Sequence, residues 1–169
     1  YAANVISTWM TRYIEITEED EVSTEGEQVV AHLNLENNFT TQIYTEKHHF
    51  IADEPKSVGG EDVGPNPYEL VNAGLGACTV MTLKMYAELK KWDLKEVKVY
   101  ISHHKKERQE IDTSSTETGK VDYFKKRIEL IGDLDAAQRE KLMVIASKCP
   151  VNKTLTSEVL MESEEFVAI

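Results

Sequence analysis

The stretch Asn66–Lys90, NPYELVNAGLGACTVMTLKMYAELK, constrains the fold of this chain more than any other. It opens with Asn-Pro, an N-cap residue followed by proline at the first helical position, and Glu69 stands where the acid of a capping box belongs. The remainder of the stretch is apolar almost all round: Leu70, Val71, Ala73, Leu75, Ala77, Val80, Met81, Leu83, Met85 and Leu89. A helix with so little polar surface is expected to be buried rather than laid on the outside. Gly74 and Gly76 interrupt it beside Cys78, each at a cost of roughly 1 kcal/mol against alanine. Two such glycines beside a thiol predict that something approaches the helix backbone there.

The flanking segments fix the fold class. Residues 28–35 (QVVAHLNL), 39–44 (FTTQIY) and 48–53 (HHFIAD) read as three strands of a meander, with turns near Glu36-Asn37-Asn38 and Glu46-Lys47. The Gly/Pro-rich run EPKSVGGEDVGPNP then delivers the chain to the helix, with Gly59-Gly60 as loop punctuation. Beyond it, Glu96–Ser102 and Lys120–Ile131 alternate as strands on either side of a charged loop over His103–Gly119. Asp135-Ala-Ala-Gln138 is a second capping box, after which Leu142, Ile145, Ala146 and Cys149 recur on one helical stripe. Pro150 ends that helix, so Cys149 is expected at a helix C-terminus, where the dipole raises a thiol pKa. Leu155–Met161 reads as a last strand. Strands, helix, strands, helix, strand predicts an α+β domain over residues 26–169, with helices grouped on one side of a largely antiparallel sheet. Residues 1–25 read as an amphipathic helix, with Val5, Ile6, Trp9 and Tyr13 on one stripe, and an acidic linker.

Charge narrows the function classes. With 30 acidic and 19 basic residues the formal net charge is −11, a surface that repels phosphate backbones and anionic lipid, so neither nucleic acid nor membrane is an expected partner. No apolar run approaches the ~18 residues of a membrane span. Two cysteines, Cys78 and Cys149, do not make a disulfide-stapled secreted domain, and the expected compartment is the cytoplasm. Each cysteine reads either as a small buried hydrophobe or as half of a redox pair in which one thiolate attacks and the other resolves. Cys78 would need a nearby cation to become a thiolate. His48-His49 and His103-His104 are not chelating pairs, because neighbours on a strand point to opposite faces, and no metal site is expected. Lys105-Lys106 and Lys125-Lys126-Arg127 read as solvated strand and loop faces.

In combination, GPNPYELVNAGLGACTVMTLKMYAE (residues 64–88) and KCPVNKTL (residues 148–155) resemble the OsmC/Ohr family of thiol peroxidases. The resemblance implies an OsmC-like fold with a long central helix carrying a cysteine, and an intertwined homodimer. It implies reduction of organic hydroperoxides or hydrogen peroxide without metal or prosthetic group, regenerated by a cellular dithiol. Cys78 matches the peroxidatic position and Cys149 the resolving one. The family's catalytic glutamate directly follows the Asn-Pro. Tyr68 stands there in this chain, and Glu69, one place on, is the candidate carboxylate. The family's activating arginine comes from the N-terminal strands, yet no arginine lies between Arg12 and Arg108. Lys47, Lys56, His48 and His49 are the candidates to take its place. These departures keep open a non-catalytic module for dimerisation or small-ligand binding. The segment ANVISTWMTRYI resembles the last helix of an α/β-hydrolase domain. Together with the opening at Tyr1 it leads us to expect a longer fusion protein, in which this domain would be an accessory.

Overall fold

The computed structural model describes residues 22–111 and 118–166. The helix expected over residues 1–14 lies outside the described residues. The described chain forms two compact units that divide between Pro65 and Asn66.

The first unit is the expected meander. Strands β1 (Val29–His32), β2 (Thr41–Thr45) and β3 (His49–Ala52) pair antiparallel in sequence order, with Val29 opposite Thr45 and Thr41 opposite Ala52. The loop after β3 is folded around one buried carboxylate. Asp53 accepts the backbone N–H groups of Glu54 at 2.8 Å, Glu61 at 3.1 Å and Val63 at 3.3 Å. Burial works to raise the Asp53 carboxyl, but these three donors and the Thr40 hydroxyl outweigh it and hold the pKa below the ordinary value. Gly60 is obligatory in this loop, because a Cβ there would lie 1.8 Å from the Glu54 carbonyl oxygen.

The second unit begins at the long helix. Helix α1 spans Pro67–Lys90 behind a complete capping box: Asn66 accepts the Glu69 N–H and Glu69 accepts the Asn66 N–H, each at 2.9 Å. Strands β4 (Asp93–Glu107) and β5 (Lys120–Asp133) form a long antiparallel ribbon. Both are longer than their alternation predicts, and β4 runs into the segment expected to be loop. A short helical turn, α2 (Arg108–Ile111), follows β4. Helix α3 (Ala136–Ala146) has its expected capping box from Asp135 and Gln138. The Arg139 guanidinium ties this helix to the end of β5, donating to the carbonyls of Leu130 (2.9 Å), Gly132 (3.2 Å) and Leu134 (3.2 Å).

Three expectations are corrected here. First, α1 is not buried all round within the chain. Its buried residues, Leu75, Thr79, Leu83 and Ala87, form one stripe at four-residue spacing, while Met85 and Leu89 on other faces are 70% and 75% exposed. Second, Pro150 does not merely end a helix. It opens another, α4 (Pro150–Thr156), and Cys149 is its N-cap residue in extended conformation. Third, Leu155–Met161 is not a strand. Thr156 closes α4, and residues 158–166 have no regular structure and pair with no strand among the described residues.

The core of this unit gathers Leu83, Leu134, Leu142, Ile145 and Ala146, with Trp92, Val97 and Ile128 packed against it. Leu83 from α1 and Leu142 from α3 are both fully buried, so α1 and α3 share one apolar seam. Leu83→Ala is expected to cost about 2–5 kcal/mol through lost transfer energy and a residual cavity. A denaturant midpoint within error of the wild type would show that this seam does not hold α1.

Candidate functional site

The two cysteines come near one another where α1 packs against the start of α4. Thr79 lies on the buried stripe, and its hydroxyl oxygen is 3.6 Å from Cys149 Sγ. Cys78, the preceding residue, lies at the edge of the stripe and is half-buried, whereas Cys149 is fully buried. The Cys78 thiol lies near enough to Cys149 to help lower its pKa. One sulfur is therefore within reach of solvent and the other is not.

The local fold explains the environment of Cys149. As N-cap of α4, its sulfur accepts the Asn152 N–H at 3.3 Å, occupying the place a serine or aspartate oxygen takes at most helix starts. Burial works to raise this thiol's pKa. The Thr79 hydroxyl, the Asn152 N–H, the Cys78 thiol and the Lys126 ammonium together outweigh it, and the pKa is lowered. The C-terminal dipole expected from the sequence would have raised it. The reversal follows from which helix the residue belongs to.

Lys126 is the residue that sequence reasoning missed. Grouped with its neighbours it reads as part of a solvated face, yet its side chain is half-buried and turned toward the thiols. Its Nζ donates to the Ala146 carbonyl at 3.0 Å and to Asn152 Oδ1 at 2.7 Å. Burial lowers the Lys126 pKa, and the charges of Cys149 and Cys78 only partly offset this. The signal is present in the sequence. Phe124, Lys126, Ile128 and Leu130 succeed one another at the strand period of two, on the half-buried face of β5, while Lys125, Arg127 and Glu129 alternate outward.

The glycine expectation holds at one position. A Cβ on Gly76 would meet Ile101 Cδ1 of β4 at 3.4 Å, and Ile101 is the ladder partner of Lys126. Beside Gly74 there is open space within the chain.

Glu69 is not brought to the cysteines of its own chain. It is exposed and engaged in the capping box, and nine residues of helix place it about 13 Å along the axis from Cys78. Tyr68, at the position of the family's carboxylate, stacks on His103 with ring centroids 4.3 Å apart. His103 in turn shares a hydrogen bond of 2.8 Å with Asp122 and leans on Phe124. In the first unit, His49 stacks on Tyr44 and its Nε2 is 2.6 Å from Gln42 Oε1.

The sequence model of the family described as OsmC-like protein matches residues 59–164, more than half of the chain. The chain belongs to the OsmC-like family. Solved structures agree on the fold. An organic hydroperoxide resistance protein OsmC from Legionella pneumophila is 21% identical with a TM-score of 0.56, over 76% of this chain and 87% of that one. An OsmC like protein from Mycoplasma pneumoniae is 17% identical with a TM-score of 0.59, over 79% of this chain and 89% of that one. The organic hydroperoxide resistance protein OhrB of Bacillus subtilis is 22% identical with a TM-score of 0.52, over 76% of this chain and 88% of that one. A search of curated proteins finds no match. Among the described residues of this OsmC-like chain, no helix is long and apolar enough to cross a membrane.

The difference in burial between the two thiols has a direct chemical consequence. In the native protein a bulky maleimide is expected to label Cys78 and to reach Cys149 only after unfolding. Peptide mapping that finds both cysteines labelled at equal rates in the native state would contradict this arrangement.

Proposed function

We propose that this chain is a thiol-dependent peroxidase that reduces organic hydroperoxides or hydrogen peroxide through Cys78 and Cys149. It works as a homodimer in the cytoplasm and is recharged by a cellular dithiol. The observation that carries the reading is the proximity of a half-buried thiol on α1 and a fully buried thiol at the start of α4. The accessible Cys78 is oxidised to a sulfenic acid. The buried Cys149 condenses with it, releasing water and leaving a disulfide. Family membership and the names of two similar structures, both organic hydroperoxide resistance proteins, support the same substrate class.

The exposed apolar surface supports the dimer. Met81, Met85 and Leu89 on α1 are 61%, 70% and 75% exposed, and Leu160, Met161 and Phe166 of the C-terminal segment are exposed as well. A surface of that character is a place for a partner, and a second copy of this chain is the proposed occupant. The open space beside Gly74 leaves room for close approach of its backbone.

A second reading is favoured by two specific observations. Tyr68 replaces the family's carboxylate, and Glu69 is engaged in the helix cap. On that reading the fold serves dimerisation, or binds a small apolar ligand in the groove of about 270 Å³ lined by Val80, Met81, Ala87, Trp92, Leu94 and Val97. A role as accessory domain to a fused hydrolase rests on residues 1–14, outside the described residues.

The readings part on one experiment. Cumene hydroperoxide is expected to consume both thiols of the wild type stoichiometrically and to restore them on treatment with a dithiol, while Cys78→Ser abolishes the reaction. A thiol titre unchanged by excess peroxide would exclude the peroxidase reading and leave the binding module.

A further inference from the structure

The β4–β5 ribbon has two faces, and the packing of the second unit accounts for only one of them. Val99, Ile101 and His103 of β4 and Phe124, Lys126 and Ile128 of β5 turn to the half-buried side. Their neighbours turn outward, because successive side chains of a strand alternate and ladder partners share a face. Along this outer face Tyr100 is paired with Arg127, Ser102 with Lys125, His104 with Tyr123 and Lys106 with Val121. Lysines, an arginine, a histidine and tyrosines thus share a surface on which these paired positions hold no carboxylate.

Elsewhere on the ribbon the charges are interspersed. Lys95 lies 3.4 Å from Asp93, Lys98 lies 3.3 Å from Glu96, and Lys105 lies 3.8 Å from Asp122. Asp122 belongs to the other face, where it also meets His103 at 2.8 Å. Glu129 bounds the outer face at one end, accepting the Tyr100 hydroxyl at 3.3 Å and standing 3.9 Å from Lys98. Lys106, Lys125 and Arg127 have no ion pair among the described residues. The chain is not short of acid, with 30 acidic side chains to 19 basic. Lys125 and Arg127 nevertheless stand on one strand and one face, about 7 Å apart at the backbone, with nothing between them to relieve their repulsion.

The rows of this face have a definite geometry. Tyr100, Ile101, Ser102, Lys125 and Arg127 line a hollow of about 230 Å³. An ammonium, a guanidinium and a hydroxyl therefore border one space, and together they match a carboxylate. The next cationic positions, His104 and Lys106, follow on β4 at the same two-residue interval. Alternate side chains of an extended peptide repeat at that interval too, about 7 Å. The tyrosines hold the cations rather than offering free rings. Lys106 Nζ lies 4.4 Å from the Tyr123 ring centroid and Arg127 Cζ 5.6 Å from that of Tyr100. With their ring faces so occupied they are not a platform for bases, and a net charge of −11 repels a long polyanion. A short acidic peptide matches the few cations present.

We propose that the outer face of the β4–β5 ribbon is a docking surface for an acidic peptide segment of a partner protein, extended along the strands with carboxylates at alternate positions. One carboxylate enters the hollow between Lys125, Arg127 and Ser102, and the following ones meet His104 and Lys106. The surface is independent of the thiols and of the peroxidase reading, since none of its residues turns to the half-buried side of the ribbon.

Fluorescence anisotropy on the full chain at low ionic strength tests this with a labelled peptide of alternating serine and glutamate. Its comparisons are the isomer with all glutamates in one block and the peptide with glutamine in place of glutamate. The alternating acidic peptide is expected to bind more tightly than the block isomer, and the glutamine peptide not at all. Arg127→Gln and Lys125→Gln each weaken binding by up to about fivefold, the ceiling for one exposed ion pair, and the double variant removes it. Both side chains are exposed, so an unchanged denaturant midpoint is expected to accompany the loss. Lys141→Gln on α3 leaves binding as it was, and added salt weakens it through screening. Equal binding of the acidic and glutamine peptides overturns the proposal, as does a loss in Lys141→Gln equal to that in Arg127→Gln. A block isomer that binds as well as the alternating peptide overturns the extended register. A single-stranded oligonucleotide that binds more tightly than the peptide, and loses that binding in the double variant, overturns the assignment of the partner.

Discussion

The contact between Thr79 and Cys149 is the interaction on which the second unit depends. Thr79 occupies the buried stripe of α1 in line with Leu75, Leu83 and Ala87, so it is part of the packing that docks the helix. Its hydroxyl is also a partner of the buried thiol, so it is part of the chemistry. A valine at that place would pack as well and leave the sulfur without its hydroxyl partner. The same four-residue spacing that fits α1 to its neighbours therefore sets a hydrogen-bonding group against a reactive atom.

Around that contact each element supplies one thing. Helix α1 brings Cys78 to the edge of the seam, and the start of α4 holds Cys149 in extended backbone with an N–H aimed at its sulfur. Strand β5 brings a cation from its half-buried face. Arg139 fixes α3 to the end of β5 through three carbonyls, and so fixes the segment that carries Ala146 and Cys149 relative to the strand that carries Lys126. A guanidinium is suited to this because its planar donors reach several oxygens at once. The site is thus assembled from three elements whose relative placement is enforced by the core and by one surface clamp.

Much of this is legible in the residues. Asn66-Pro67 and Asp135 mark helix starts because cap chemistry is local, and both capping boxes form as the sequence implies. The alternation of Glu96–Ser102 and Lys120–Ile131 locates the ribbon but underestimates its length, since ladder bonds between β4 and β5 carry charged residues that alternation alone assigns to a loop. Cys149 is misjudged from sequence because Cys-Pro is ambiguous. The proline that stops one helix also suits the first position of the next, and only the three-dimensional path shows that the cysteine caps the second. Lys126 is hidden by its neighbours. Read as a charge cluster, Lys125-Lys126-Arg127 is surface. Read at the strand period, its middle member shares a face with Phe124 and Ile128. The apolar girth of α1 reads as burial within the chain, whereas the chain covers one stripe, and the proposed second copy accounts for the rest.

The central claim is that Cys78 and Cys149 of one chain form a working pair. It is tested most directly by oxidising the protein with one equivalent of hydroperoxide, digesting it without reduction and identifying the linked peptides by mass spectrometry. The account predicts a peptide pair joined through Cys78 and Cys149 and derived from a single chain. Cys78 carried on to the sulfinic acid while Cys149 remains a free thiol, or cross-links found only between chains, would contradict it.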